Sequence, residues 1–169
     1  MSRIVLIALI IFGAAAAVVI ITLAFTPDQT NPAFAAAEAF VRAAGAGNDA
    51  AAEAWLTDEL RAYVAANCPD GSLSACIASY TPPEWGRLFS VGFRRAAPDG
   101  DAWNVDLIGI YERDRGNTGV CIYTRMIPSG GDPNTPEGWR VAAWAGFAWC
   151  GDPNTRSMAN NPAAPNRAP

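Results

Sequence analysis

The stretch "WGRLFSVGFRRAAPDGDAWNVDLIGIYER", Trp85 to Arg113, decides the fold. Its apolar residues recur with a period of two, whereas the residues before it follow a helical period. Successive side chains of a strand point to opposite faces, so this alternation marks half-buried strands. Phe89, Val91 and Phe93 share one side of the first run. Trp103, Val105, Leu107 and Tyr111 share one face of the second. Between them "PDGD", Pro98 to Asp101, supplies the Pro, Asp and Gly of a tight turn, so the two runs pair antiparallel.

Toward the C-terminus the pattern continues. "DRGN", Asp114 to Asn117, is the next turn, "TGVCIYTRMI" a third strand and "GWRVAAWAGFAWC" a fourth. The fourth run is apolar at both parities: Trp139, Val141, Phe147 and Trp149 at one, Ala142, Trp144 and Ala148 at the other. Such a strand is expected to be covered on both sides, so it is central or lines a closed concavity. The pentapeptide Gly-Asp-Pro-Asn-Thr flanks it twice, at Gly131–Thr135 and Gly151–Thr155. With about twelve extended residues between them, the copies stand roughly 40 Å apart, too far to share one ion. They read as the same turn used at the two ends of one long strand. Beyond Asp152 the Pro- and Asn-rich residues 153–169 have no apolar period and read as a disordered tail.

Toward the N-terminus the elements are helical. Asn31 suits an N-cap and Pro32 the first helical position. Phe34, Ala37, Phe40, Val41 and Ala44 fall on one face, with Glu38 and Arg42 as an i,i+4 pair on the other. Gly45 and Gly47 end the helix. Asn48 or Asp49 caps a second helix, whose apolar positions are Ala52, Trp55, Leu56, Leu60, Tyr63 and Val64. A short helical piece over Cys76–Tyr80 follows, and "YTPPEW" breaks it. Helices first and an antiparallel meander after predict an α+β domain over residues 32–152, with the helices packed on one face of a curved, cone-like four-stranded sheet.

These residues also carry a resemblance. "AAEAFVRAAGAGNDAAAEAWLTDEL" resembles the opening of nuclear transport factor 2-like (cystatin-like, SnoaL-like) domains. There a helix with Phe and Val runs into a Gly/Asn/Asp break, and a second Ala-rich helix ends in a Trp/Leu pair. The matching positions are Phe40, Val41, Gly47, Asn48, Asp49, Ala52, Trp55 and Leu56. Membrane-anchored extracytoplasmic members include the inner-membrane subunit of type IV secretion machines and the Mce-associated membrane proteins of actinobacteria. The resemblance therefore implies scaffolding or assembly. Its enzymes, such as ketosteroid isomerases and scytalone dehydratases, resemble one another in placing Asp, His or Tyr inside the cone.

The first residues set the compartment. After "MSR", Ile4 to Phe25 is uncharged and would make a helix about 33 Å long, enough to span a bilayer's hydrocarbon core. The apolar core is too long for an ordinary cleaved signal peptide, and no small-x-small site follows it closely. Residues 1–26 are expected to be a transmembrane signal-anchor and 27–31 a linker. Arg3 before the span puts the N-terminus in the cytoplasm and the domain outside the cell (inner) membrane, on a single pass. Cys68, Cys76, Cys121 and Cys150 all lie beyond the span, and an even number in an exported domain implies two disulfides with three possible connectivities. Cys68–Cys76 closes a short loop through Pro69 and Gly71 and is the natural first pair, which leaves Cys121–Cys150. The spacings of 8, 45 and 29 do not match paired C-x-x-C zinc sites, so no metal and no cofactor is expected.

Charge excludes further classes. The chain has 12 Arg, no Lys, no His and 16 acids, a net charge of −4. An acidic domain does not attract nucleic acid, and the absence of His removes the commonest general base. Asp106, in "NVDLIG", is the best acid candidate, with Tyr111 and Tyr123 as hydrogen-bond donors; a carboxylate in an apolar cone has a raised pKa. Its parity, however, groups it with Asn104 and Glu112, so solvent exposure is expected. Trp139, Trp144 and Trp149 are candidates for a cavity or partner surface, against the plainer role of core packing. The expected function is a membrane-anchored extracytoplasmic interaction or assembly module without catalysis, with a protein partner. The alternative is a small apolar-ligand binder, or a vestigial enzyme, using the cone.

Overall fold

The computed structural model describes residues 12–17, 31–113 and 119–169. Most of the apolar run Ile4–Phe25, the linker before Asn31 and the turn Asp114–Asn117 lie outside the described residues. Residues 12–17 are helical. Among the described residues no helix is long and apolar enough to cross a membrane.

Among the described residues from Asn31 onward, four α-helices precede four strands: α1 (Pro32–Gly45), α2 (Asp49–Glu53), α3 (Asp58–Asn67), α4 (Leu73–Tyr80), β1 (Leu88–Asp99), β2 (Ala102–Tyr111), β3 (Val120–Pro128) and β4 (Trp139–Trp149). The strands form one open antiparallel sheet in the order β1-β2-β3-β4. The α+β architecture is therefore as expected, without closure of the sheet.

Helix α1 starts where its cap predicts. The Asn31 Oδ1 accepts from the Ala33 N–H at 2.9 Å, and Pro32 needs no donor at that position. Its buried face, with Phe34, Ala37, Phe40, Val41 and Ala44, packs on the sheet, while Glu38 and Arg42 pair on its outer flank. The second helix divides in two, contrary to the single helix expected. Thr57 caps α3 by accepting from the Leu60 N–H at 3.2 Å. Just before it the chain turns outward to β4: the Val141 N–H donates to the Trp55 carbonyl at 2.8 Å and the Thr57 N–H to the Val141 carbonyl at 3.0 Å. Those two bonds replace helical ones, and the cap restarts the helix.

Both disulfides are present, Cys68–Cys76 and Cys121–Cys150. Two such bonds fit an oxidising, extracytoplasmic compartment. The first closes the loop before α4. The Asp49 carboxylate ties that loop to α2 by accepting from the Ser74 N–H at 2.7 Å.

Strand β4 departs from the reading of its sequence. It is an edge of the sheet, not a central strand. Its pairing with β3 shifts register twice, between Arg125/Met126 and between Cys121/Ile122. Each shift inserts one extra residue on β4 (Ala142, then Phe147) and reverses the parity of the residues beyond it. Trp139, Val141, Trp144 and Phe147 therefore all reach the same helix-side core, although their spacing assigns them to two faces. Phe147 sits at φ 49° at the second bulge, and Gly146 before it at φ 95°. A Cβ on Gly146 would run into the Cys121 carbonyl, so this bulge requires glycine.

Residues 153–169 correct the expectation of a disordered tail. They form a strap over the outer face of the sheet and along its β4 edge. Met158 and Ala164 are buried with Cys121, Tyr123 and Ala145 in a second small core. The Gly146 N–H donates to the Pro165 carbonyl at 2.7 Å, and the Ala168 N–H to the Trp144 carbonyl at 2.9 Å. Asn166 donates to the Gly146 carbonyl at 2.8 Å. Arg167 donates to the Met158 carbonyl at 2.7 Å and lies over the Tyr123 ring, 5.7 Å from its centroid. Backbone pairing, the Asn166 and Arg167 bonds and two isolated buried residues hold this segment, so it needs no apolar period.

The two Gly-Asp-Pro-Asn-Thr copies fold alike. Asp132 accepts from the Asn134 N–H, and Asp152 from the Asn154 N–H, each at 2.9 Å. Both Thr hydroxyls, Thr135 and Thr155, donate back to the carbonyl of that Asp. One Asx turn punctuates both ends of β4.

Candidate functional site

The sheet's two faces divide the residues singled out in the sequence. Tyr111, Trp139 and Trp144 belong to the helix-side core and are buried. Trp144 packs between Phe40, stacked at 6.1 Å, and Tyr63, edge-on at 6.3 Å. Its indole N–H is buried and makes no hydrogen bond of standard geometry, although the Tyr80 hydroxyl interacts with it loosely. The Trp139 indole donates to the Pro133 carbonyl at 2.9 Å, which fixes the first Asx turn. Burial pushes the Tyr111 hydroxyl above its usual range. Trp139 and Trp144 fill the core, while Tyr111 also borders a small cleft of about 170 Å³ between α4 and the start of β1. Trp149 lies outside that core at the end of β4, 51% exposed.

Asp106 and Tyr123 do come together, on the other face. They are cross-strand partners on β2 and β3. The parity argument placed Asp106 on the outer face correctly, but the expected exposure does not result. Asp106 is only 5% exposed, because Arg95 pairs with it and the strap covers the face. A cleft of about 210 Å³ remains there, lined by Arg95, Asn104, Asp106, Ser157 and Asn160 among others. The Tyr123 hydroxyl donates to Asn104 Oδ1 at 2.7 Å, and burial raises its pKa against the opposing pull of Arg167 and Arg125. A guanidinium against the carboxylate keeps Asp106 an ion-pair partner.

A second concavity lies on the helix side of β1, and the sequence reading did not identify it. It holds about 360 Å³ and is lined by Asn31, Phe34, Phe93, Arg94, Arg95, Ala96 and Trp103. Phe34 stacks on Phe93 at 4.8 Å and meets Trp103 edge-on at 5.4 Å. The signal lay in long-range pairing: Phe34 opens α1, and Phe93 and Trp103 sit on neighbouring strands. A register shift between Phe93 and Arg95 opens the edge there.

The exposed apolar residues complete the surface. Phe89 was expected on the buried side with Val91 and Phe93. A register shift between Leu88 and Ser90 makes it the extra residue of a bulge, and it is 76% exposed. Ile110, opposite Ser90 on β2, is 45% exposed. Among the described residues, no group of three or more His, Cys, Asp or Glu is placed to hold a metal ion. No family model matches this chain, and no curated protein and no solved structure matches it either.

Proposed function

We propose that this protein is an extracytoplasmic interaction module of nuclear transport factor 2-like architecture, tethered to the membrane by its N-terminal apolar run, and that it works by binding a protein partner rather than by catalysis. The observation that carries this reading is the distribution of apolar surface. The space between helices and sheet is occupied by Phe40, Leu56, Trp144 and Phe147, each essentially inaccessible, whereas Phe89 and Ile110 are exposed at neighbouring register positions of β1 and β2. Large apolar side chains left exposed next to each other mark contact surfaces. The two disulfides support the compartment. The tether rests on the sequence of residues 4–25, and the architecture on the resemblance of the two N-terminal helices.

Photo-crosslinking in the native membrane tests the reading. A photoreactive residue at position 89 or 110 is expected to give one adduct of discrete mass, and the same residue at the exposed Glu59 on α3 none. Equal labelling at all three positions, or none at 89 and 110, would remove the basis for a partner surface there.

A further inference from the structure

The aromatic concavity on the helix side of β1 lies close to where the chain leaves the proposed tether. Asn31 is one of its lining residues. Six Cα steps separate Asn31 from Phe25, the end of the apolar run, so the opening stands at most about 22 Å from that end. Whatever the path of the connecting residues, this part of the domain stays near the bilayer surface. At about 360 Å³ the concavity is on the scale of sites that take small ligands, ~300–1,000 Å³.

Its chemistry is two-part. Phe34, Phe93 and Trp103 supply an apolar floor and the amphipathic ring type that favours the membrane–water interface. Arg94 and Arg95 supply positive charge, and no carboxylate is among the lining residues. Arg95 is engaged by Asp106. Arg94 pairs with no carboxylate among the described residues; its Nη1 rests 2.9 Å from the Cys121 sulfur, a weak acceptor. Arg94 is an exposed residue on a long stem, so its guanidinium can exchange the partly buried sulfur contact for a phosphate oxygen, which it holds far better. The N-terminus of α1 also opens here with no acidic residue in its first turn, so its dipole adds to the positive field.

We infer that this concavity seats one anionic phospholipid of the adjacent leaflet, its acyl portion against Phe34, Phe93 and Trp103 and its phosphate on Arg94. The inference rests on the tethered-module reading above and adds a ligand class to it. A domain of net charge −5 beyond the apolar run (11 Arg against 16 acids, after Arg3 is set aside) would otherwise be repelled by an anionic surface. One uncompensated arginine beside an aromatic floor gives it a defined resting contact.

Native mass spectrometry of the full chain tests this, using micelles doped with equal amounts of phosphatidylglycerol and phosphatidylcholine. One retained phosphatidylglycerol is expected, preferred at least about fivefold, the discrimination one basic residue provides near a membrane. Arg94→Glu reverses the charge and gives up the contact with the Cys121 sulfur, and is expected to abolish that preference. Trp103→Ala is expected to lower retention of both lipids. Equal retention in the wild type, or a preference unchanged in Arg94→Glu, overturns the inference. Competition by soluble glycerol phosphate as effective as that by the lipid also overturns it, because a bare phosphate site would then suffice. Vesicle flotation of the same preparation reports the tether separately. A chain that fails to float removes the tether, while the adduct pattern still judges the concavity.

Discussion

The two edges of the sheet are protected in different ways. An edge strand presents unpaired N–H and C=O groups that invite another chain. At β4 the protein covers them with its own backbone: residues 55–57 pair with Val141, and residues 165–168 pair with Trp144 and Gly146. At β1 no backbone from the described residues outside the sheet pairs with the strand. Two register shifts, Pro98 and exposed arginines interrupt it instead, and the Arg42 guanidinium takes the Val91 carbonyl at 3.2 Å. Coverage uses distant chain and builds core. Interruption uses local sequence and leaves surface free. That free surface is where Phe89, Ile110 and the aromatic concavity lie.

Removing the cover should have the largest effect. Deleting residues 157–169 exposes the pocket of Met158 and Ala164 and frees two carbonyl–amide pairs. At about 2 kcal/mol for the Met side chain, about 1 for each backbone bond and about 1 for the remainder, the loss is about 5 kcal/mol. That is most of the stability of an ordinary domain. A lower urea midpoint and self-association on sedimentation are expected; an unchanged midpoint would mean that the strap adds nothing to β4. Next comes the covalent tie between β3 and β4. Chain entropy for the Cys121–Cys150 loop, with its separation of 29, gives about 3.6 kcal/mol, against about 2.6 for Cys68–Cys76 with a separation of 8. The double serine variant at 121 and 150 should therefore unfold at lower urea than the one at 68 and 76, and the reverse order would contradict the assigned weight of the β4 edge.

Effects at β1 should be smaller. Arg42→Ala loses a partly exposed charged hydrogen bond to Val91 and should cost about 1 kcal/mol by urea titration. Acid should touch β1 and spare the backbone pairing on β4. The Asp99 carboxyl is held below its ordinary 3.8 because Arg125 donates to it. Its contribution is complete above 3.8 and is lost as pH falls through the lower folded value. A pH titration comparing wild type with Asp99→Asn should show the two converge in acid; parallel curves would assign the acid response elsewhere. Phe89→Ser should do least to stability, within about 0.5 kcal/mol, because the side chain is already in solvent. A larger loss would make Phe89 part of the fold and not of a contact surface.

The same contrast separates the legible parts of the chain from the concealed ones. The cap at Asn31, the buried stripe of α1, the hairpin of β1 and β2 and the short disulfide loop are local, and each was legible from a few neighbouring residues. The two bulges of β4 were not, because an inserted residue shifts parity without leaving a mark in composition. The break at Trp55–Leu56 was hidden by a continuous helical period, although "TDEL" carries the cap that restarts the helix. Asp106 was placed on the correct face, yet its burial depends on the strap and on Arg95. The strap is held by two backbone bonds, an asparagine and an arginine clasp and two isolated apolar residues, Met158 and Ala164, which leave no periodic pattern. The aromatic concavity joins Phe34 to Phe93 and Trp103 across a long stretch of sequence, so only the fold assembles it.

The unequal disulfide loops also impose an order of assembly. Cys68 and Cys76 meet across eight residues as soon as that segment is synthesised, at little entropic cost. Cys121 must wait for the whole of β4 before Cys150 exists to pair with. Once the short-loop pair has closed, the only free thiol left for Cys121 is the native one. Loop length and chain order thus favour the same one of the three connectivities, independently of tertiary packing.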